Sequence, residues 1–440
     1  MDHAILVAAG MGVDEEKLGS FGRTVIGGIP QLKRLIITAE RAGIRRFTII
    51  TEKDDFSLKE EIENDKRIKS EIVWHPLGSP IKFDPTPSII LQSNLVINPA
   101  GLSNLMDCDV SEDEIMVLVD ENKDAWVKTK GEIIEDIFSN GGKMVGAFVA
   151  YGSLLEKSIL NSMYLKSWVK ELVGRERVKF VRFSNGYWMR LSSDERSVKK
   201  AEDLIFSYVG KTDTGWISRN INSKISIPTS RLLVRTPLTP NMISVMINII
   251  GMLSGPFYAL GHPVLGALFL QIATILDRCD GEVARVKLME TKRGQWVDTI
   301  CDQFTVLSFI IGVPVGYYLI TKNPIIIVLG SLSVGIFIFF VIWSFYFLVK
   351  YTNSGSLVAY YNVDKLIGEE NRSFVHKLIG IIRPMARRNF SSLAFLIVAI
   401  IGGYPWVLGI LCTVSVLFLI HQTEDIIKLR KLRPPSNPLK

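Results

Sequence analysis

Two apolar runs, residues 263–276 and 303–320, contain no charged side chain, yet the stretch joining them carries four aspartates: Asp277, Asp280, Asp298 and Asp302. Runs of this kind read as membrane helices. A charge on such a helix costs roughly 2.5–3.5 kcal/mol at its centre and less near the interface. The chain therefore has to fold with four carboxylates at the ends of two membrane helices. Carboxylates kept in such places usually hold a cation or a substrate.

The 440 residues fall into unlike halves, and the length suits two or three domains. Up to about residue 235 charged and apolar residues are mixed; beyond it long apolar runs dominate. Six spans fit, at about residues 239–260, 263–280, 294–320, 324–349, 391–401 with its flanks, and 404–420. The fifth is short against the roughly 20 residues that cross a hydrocarbon core. Residues 261–262, 321–323 and 402–403 are short, nearly uncharged connections, whereas 278–293, 350–388 and 428–440 are charged and basic. The positive-inside rule then predicts a multi-pass protein of the cell membrane, with the N-terminal domain, the aspartate stretch and the C-terminus cytoplasmic. The absence of a basic-then-apolar opening agrees with that orientation. Net charge is +7, with basic residues gathered at the ends of apolar runs, which points to anionic membrane lipids as partners rather than nucleic acid. The four cysteines, Cys108, Cys279, Cys301 and Cys412, are scattered and read as reduced thiols, without a disulfide framework or a zinc site.

Residues 1–210 alternate strand-like and helix-like patterns. Strands are predicted at residues 3–9, 47–51, 115–119, 144–150 and 178–183, and helices at 30–42 and 194–208. This is the pattern of a three-layer α/β domain with a mostly parallel sheet, whose ligands bind beyond the carboxyl ends of the strands. The first turn, Ala8-Ala-Gly-Met-Gly12, faces that crevice, although glycines after a strand more often simply make the turn. Residues 211–237 differ. Ile217, Ile221 and Ile225 recur every four residues beside Trp216, with Arg219, Lys224, Arg231 and Arg235 elsewhere. An amphipathic helix in the membrane interface is expected, a soluble linker helix being the alternative. The bundle then occupies residues 238–425, and 426–440 form a basic cytoplasmic tail.

Spacing decides the chemistry of the aspartates. Asp277 and Asp280 are three apart and Asp298 and Asp302 four apart, which puts each pair on one helix face. The intervening loop is short enough to make the two helices antiparallel neighbours. Hard oxygen ligands without His or Cys favour Mg²⁺, Mn²⁺ or Ca²⁺ over zinc. Cys279 and Cys301 are expected to turn away and pack. A structural cluster neutralised by Arg278, Arg285 and Arg293 remains the competing explanation. A transport pathway is a third, although it would scatter acids at mid-bilayer depth over several spans.

The pattern Asp277-x-x-Asp280-Gly281-x-x-Ala284-Arg285, followed by Gly294-x-x-x-Asp298-x-x-x-Asp302, resembles at every fixed position the signature of the CDP-alcohol phosphotransferase family. The resemblance implies a six-span all-helical bundle, commonly a homodimer. It also implies transfer of the substituted phosphate of a CDP-alcohol donor to an acceptor alcohol, with release of CMP. Asp277, Asp280 and Asp298 would then hold one or two divalent metals, most simply Mg²⁺ or Mn²⁺. Asp302 would lie near the metal and act as general base. Gly281, Ala284, Arg285 and Gly294 would line the nucleotide pocket. Thr239-Pro-Asn241 with Ser244 resembles the family's Thr-Pro-Asn-x-x-Thr opening of the first span, so Asn241 would either touch the nucleotide or cap the helix. Arg387-Arg388-Asn389 resembles a patch receiving a substrate phosphate, against which stands plain positive-inside anchoring.

The whole chain resembles fusions of inositol-phosphate cytidylyltransferases to a CDP-inositol-using transferase. The expected fold is a nucleotidyltransferase-like α/β three-layer domain plus an all-α six-span transmembrane bundle. Residues from Leu6-Val-Ala-Ala-Gly-Met-Gly12 onward look like the nucleotidyltransferase fold, but Val13-Asp14 stands where Thr/Ser-Arg is usual and Pro30-Gln31 where Pro-Lys is usual. Asp120 is the expected first metal acid, and Trp188-Met-Arg-Leu191 replaces an acidic stretch. The N-terminal domain is therefore expected to be an inactive scaffold, unless Lys33, Arg34 or Arg23 compensates. The alternative is an active bifunctional cytidylyltransferase and di-inositol-phosphate synthase.

Overall fold

A computed structural model describes the chain except for residues 12–16, 53–55, 80, 82–84, 121–127, 131–132, 137–143, 155–164, 176, 211–217, 364–365, 367–387 and 433–440. It separates into Met1–Tyr208 and Val209–Lys440.

In the first unit the strands are β1 (His3–Ala8), β2 (Val25–Ile26), β3 (Ile29–Pro30), β4 (Arg46–Thr51), β5 (Glu71–Pro76), β6 (Pro87–Gln92), β7 (Leu95–Ile97), β8 (Ile115–Val119), β9 (Lys128–Lys130), β10 (Ile133–Asp136), β11 (Met144–Tyr151), β12 (Val178–Arg182) and β13 (Trp188–Arg190). Nine form one sheet, in the order β5-β4-β1-β6-β11-β8-β12-β10-β9. β5, β4, β1 and β6 run parallel, as do β8 and β12, whereas β11 is antiparallel to both its neighbours. The helices are α1 (Gln31–Ala42), α2 (Phe56–Glu63), α3 (Pro99–Met106), α4 (Leu165–Gly174) and α5 (Glu195–Gly210). All six residues of β1 are buried because both faces are covered. Ile5 and Val7 join the core under α4, while Ala4, Leu6 and Ala8 join the core under α1 and α3. The predicted strands are all present, β5, β6, β9 and β10 are additional members of the sheet, and the sheet is mixed rather than mostly parallel.

The polar residues of α1 and its surroundings are structurally engaged. Asp65 takes ion pairs from Lys33 at 2.7 Å and Arg67 at 2.6 Å. Burial raises its carboxyl, but the bonds from Arg67 and Lys33 outweigh that and hold it well below the ordinary carboxylate value. A folded value below the unfolded one stabilises above the unfolded pKa and is lost as pH falls through the folded value. Asp65→Asn is therefore expected to lower the thermal midpoint of the first unit at about pH 6, with the gap to wild type beginning to narrow below about pH 4 and still open at about pH 3. Calorimetry across that range checks it, and a gap that stays constant with pH contradicts the assignment.

The second unit is helical. A π-helical turn, Ser218–Asn222, leads into α6 (Ser223–Leu233), followed by α7 (Pro240–Met252), α8 (Ser254–Ala259), α9 (Pro263–Leu276), α10 (Arg278–Val286), α11 (Lys292–Thr321), α12 (Pro324–Tyr351), α13 (Arg388–Ile401) and α14 (Tyr404–Leu432). Start signals are read directly. Thr239, Thr291 and Asn323 accept the backbone N–H of Met242, Gly294 and Ile325, and Pro240 and Pro324 supply rigid first turns.

Small residues set the spacing of α8 and α11. A Cβ placed on Gly312 would lie 2.3 Å from the Gly255 carbonyl oxygen, and one on Gly255 would lie 2.3 Å from that of Ser308. Helices in lipid associate by this close backbone approach. Around it Tyr258, Phe309, Phe395 and Tyr404 pack as one buried aromatic cluster.

Among the described residues four helical stretches are long and apolar enough to cross a membrane: Pro240–Ala259, Lys292–Thr321, Pro324–Tyr351 and Tyr404–Lys431. The expected second and fifth spans correspond to α9 and α13, each of 14 residues. At about 1.5 Å per residue neither alone covers a core of roughly 30 Å. A turn at Asp277 separates α9 from α10, and the chain before α13 lies outside the described residues. α14 runs on to Leu432, into the residues expected as a basic tail, with Leu429 buried beside Phe347 and Tyr351 and Lys428 paired to Glu424 at 3.5 Å.

The segment around α6 is amphipathic with its faces turned outside in. Ile221, Ile225 and Leu232 are 40%, 49% and 68% exposed, while Ser218, Asn222, Ser226 and Ser230 are wholly buried. An apolar ridge facing outward suits a lipid interface rather than water. Trp216 and Ile217 lie outside the described residues.

Candidate active site

Asp277 stands at the turn between α9 and α10, Asp280 in the first turn of α10, and Asp298 and Asp302 one helical turn apart in α11. One carboxylate oxygen from each of Asp277, Asp298 and Asp302 lies within 4.8 Å of the other two. Asp280 is next to this group, within hydrogen-bonding reach of Asp298, but is held differently. Its Oδ2 accepts the Ser244 hydroxyl from α7 and its Oδ1 the Gly281 backbone N–H. Ser244 thereby anchors one of the four acids.

Arg388, the first residue of α13, supplies the counter-charge. Its Nη1 is 3.3 Å from Asp277 Oδ1 and also pairs with Asp302. The contact with Asp277 is an ion pair without hydrogen-bond alignment, since Asp277 Oδ1, Asp298 Oδ1 and Arg388 Nε and Nη2 are all buried with no hydrogen-bond partner among the described residues. Two carboxylate oxygens and two guanidinium nitrogens are thus left facing a site without protein partners. All-oxygen donors of this kind fit a hard divalent cation, and the free guanidinium edge fits a phosphate. Of the cations expected to neutralise a merely structural cluster, Arg278 is paired with Glu282 at 3.2 Å and Arg293 is exposed. Arg387 lies outside the described residues.

The proposed nucleotide residues gather beside the acids. The Arg285 guanidinium lies over Gly281, 3.6 Å from where a Cβ would stand, and Arg285 Nε is buried without a hydrogen-bond partner among the described residues. Ala284 is half-buried on the same short helix. Asn241 Oδ1 is 3.2 Å from the Cβ position of Gly294, so a larger residue there would crowd the amide. Thr239 is the cap of α7, which leaves the exposed Asn241 side chain with no capping task. Beside them, Thr299 donates to the Gly355 carbonyl at 2.8 Å and Gln295 accepts the Gly355 N–H at 3.1 Å, fastening residues 354–355 to α11.

Sequence reasoning missed Glu282, Ser226, Ser230 and Lys287. Glu282 is wholly buried and accepts hydroxyls from both serines, while Lys287 Nζ donates to the Thr236 and Leu238 carbonyls. The available signal was the four-residue spacing of Arg278 to Glu282 and of Ser226 to Ser230, too common to single them out.

In the first unit, Gly12, Val13 and Asp14 lie outside the described residues. Gln31 is wholly buried with Nε2 on the Leu95 carbonyl. Lys33 is paired to Asp65, and Arg34 donates to the Ile26 carbonyl at 2.7 Å. Asp120 is 4% exposed and accepts the Trp188 indole N–H at 2.7 Å.

Residues 237–363 match the family model described as CDP-alcohol phosphatidyltransferase and carry that domain. A curated relative from Aquifex aeolicus, a bifunctional IPC transferase and DIPP synthase, is 31% identical over 204 residues, 45% of this chain and 47% of that protein. The match thus spans about half of that relative's length. One of the same description from Thermococcus kodakarensis is 26% identical over 361 residues, 76% of this chain and 81% of the other. The inositol-1-phosphate CTP transferase from T. maritima, a solved structure, aligns at 17% identity and a TM-score of 0.37, over 46% of this chain and 96% of that one.

Proposed function

We propose, from the domain match at residues 237–363, that this chain is a membrane phosphotransferase. It moves the alcohol-bearing phosphate of a CDP-alcohol to an acceptor alcohol and releases CMP. The observation that carries the reading is the convergence of Asp277, Asp298 and Asp302 under the half-satisfied guanidinium of Arg388.

In this reading Asp277, Asp280, Asp298 and Asp302 hold one or two divalent ions, Mg²⁺ or Mn²⁺, which would stabilise charge on the diphosphate oxygens. Gly281 and Gly294 admit the nucleotide closely, with Asn241, Ala284 and Arg285 at its edge. Arg388, with Arg387 before it, orients the phosphate of donor or acceptor. Asp302 takes the proton of the acceptor hydroxyl as its oxygen bonds to phosphorus and the bond to CMP breaks, a role worth typically 10²–10⁴-fold. The basic loops support a cytoplasmic site and N-terminal unit, and the bundle works as a homodimer among membrane lipids.

The relatives' descriptions support a polyol or inositol phosphate as donor alcohol or acceptor. The engagement of Gln31, Lys33, Arg34 and Asp120 by neighbouring residues supports a first unit that no longer makes CDP-alcohols. A second reading, an active bifunctional enzyme, is favoured by the Thermococcus match, which spans 76% of this chain.

Two assays test this. A panel of CDP-alcohols and acceptors scored for CMP is expected to give at least one productive pair, with activity abolished by EDTA and restored by Mg²⁺ or Mn²⁺; no CMP from any pair rejects the transferase reading. CTP with Mg²⁺ and inositol or sugar phosphates is expected to yield no pyrophosphate, and pyrophosphate release establishes the bifunctional reading instead.

A further inference from the structure

The rear of the aspartate-bearing helix is as carefully held as its front. Glu282 is two positions beyond Asp280, about 200° round α10, and so points away from the acids. It is wholly buried, with Oε1 accepting from Ser226 at 2.8 Å and Oε2 from Ser230 at 2.7 Å. Arg278 Nη2 lies 3.2 Å from Oε1, its Nε 3.2 Å from Ser226 Oγ, and its Nη1 reaches Ser218. Cys279, wholly buried, gives its thiol to the Ser226 carbonyl at 3.6 Å. One face of α6 and its π-helical turn is thereby hydrogen-bonded along α10.

Apolar packing would hold two helices together at less cost, since a buried carboxylate has to recover its desolvation through its partners. What directional bonds add is register. Two serines one turn apart, gripping both oxygens of one carboxylate, fix how far α10 slides and rotates against α6. Asp277 and Asp280 are carried on either side of Arg278, so that rotation sets where their oxygens stand.

We infer that Glu282 is a positioning residue: with Ser226, Ser230 and Arg278 it latches the interfacial helix to α10 and so holds Asp277 and Asp280 in place to bind metal. The inference deepens the transferase reading and rests on its metal site. It assigns a task to the inward polar face of α6, while the outward isoleucine ridge meets lipid.

The test uses full-length protein in lipid nanodiscs, comparing wild type with Glu282→Gln and with Ser226→Ala/Ser230→Ala. Mn²⁺ affinity is read by electron paramagnetic resonance titration, Cys279 alkylation by peptide mass mapping, and stability by thermal midpoint. Loss of a group that hydrogen-bonds a metal ligand directly typically weakens metal binding 10–100-fold, and a latch acting through the helix backbone belongs at the lower end of that range. Both variants are expected to lose about 10-fold or more in Mn²⁺ affinity and to expose Cys279 to alkylation. Tyr404→Phe, which removes a buried hydrogen bond to the Tyr258 carbonyl at the other end of the bundle, is expected to lower the midpoint without changing Mn²⁺ affinity. Wild-type Mn²⁺ affinity in both latch variants overturns the inference, as does an equal loss in Tyr404→Phe. Wild type that binds Mn²⁺ yet releases no CMP with any pair rejects the transferase reading and leaves the latch standing on its own measurements. Wild type that binds no Mn²⁺ overturns both.

Discussion

Asp302→Asn is expected to cut CMP release by about 10²–10⁴-fold while leaving the thermal midpoint within a few degrees of wild type. The asymmetry follows from its surroundings. Asp302 sits in α11 with its side chain 24% exposed, so the amide fits the same space and buries no new polar group. The amide cannot take a proton from an attacking hydroxyl. It also surrenders the charge that faces Arg388, which weakens the hold on substrate phosphate as well as the proton transfer. Kinetics separate the two: loss of the base lowers kcat, whereas a loosened Arg388 raises KM. Arg388→Gln is the complementary case and is expected to raise KM for the phosphate-bearing substrate more than it lowers kcat. An Asp302→Asn enzyme with full activity would remove Asp302 from the chemistry, whatever the metal does.

Gly312→Val is expected to prevent the bundle from assembling. A Cβ on Gly312 would meet the Gly255 carbonyl oxygen at 2.3 Å, its Cα at 2.5 Å and its carbonyl carbon at 2.7 Å, all of them backbone atoms that no rotamer change can move. Overpacking against adaptable side chains costs typically 1–3 kcal/mol, and here the helices themselves must separate. Tyr258, Phe309 and Phe395 then lose their contacts together. Gly335 in α12 and Gly409 in α14 are the controls, since a Cβ at either meets nothing within 4 Å. Gly335→Ala and Gly409→Ala are expected to match or slightly exceed wild type, helix propensity favouring alanine by about 1 kcal/mol. Size-exclusion profiles and thermal unfolding of the purified variants decide it. A monodisperse Gly312→Val with an unshifted midpoint would mean that α8 and α11 do not pack this way.

The helical half was legible where chemistry forces a rare pattern. Four acids between charge-free helices have few explanations, and their spacing by three and four marked two facing pairs. The same arithmetic explains where the reading fell short. Four residues turn a helix by about 400° and three by about 300°, so Asp302 stays close over Asp298 while Asp280 is rotated about 60° from Asp277. That offset is enough for Ser244 to claim Asp280. Arg388 was visible as part of a basic patch, but its place between two aspartates depends on how α13 meets α9 and α11, which no local pattern encodes. Glu282 was invisible for a different reason: one glutamate and two serines are ordinary residues until a tertiary contact buries them. In the α/β half, strand positions followed from apolar runs. Strand direction did not, because β11 is buried along nearly its whole length and such a run reads the same pointing either way. The outward-facing isoleucines of α6 were found by periodicity, whereas the buried serines on its other face would have been assigned to solvent.

One consequence lies in the length of α14. Its 29 residues span about 43 Å, well beyond a hydrocarbon core of roughly 30 Å. The final turns therefore stand clear of the bilayer as a post. Asp425, wholly buried near that end, accepts the Tyr360 hydroxyl at 2.8 Å, while Gly355, five residues before Tyr360, is tied to Thr299 and Gln295 beside Asp298. The segment between them is bolted at both ends, like a cross-brace between the post and α11, and a brace of that kind resists sliding of one helix past the other.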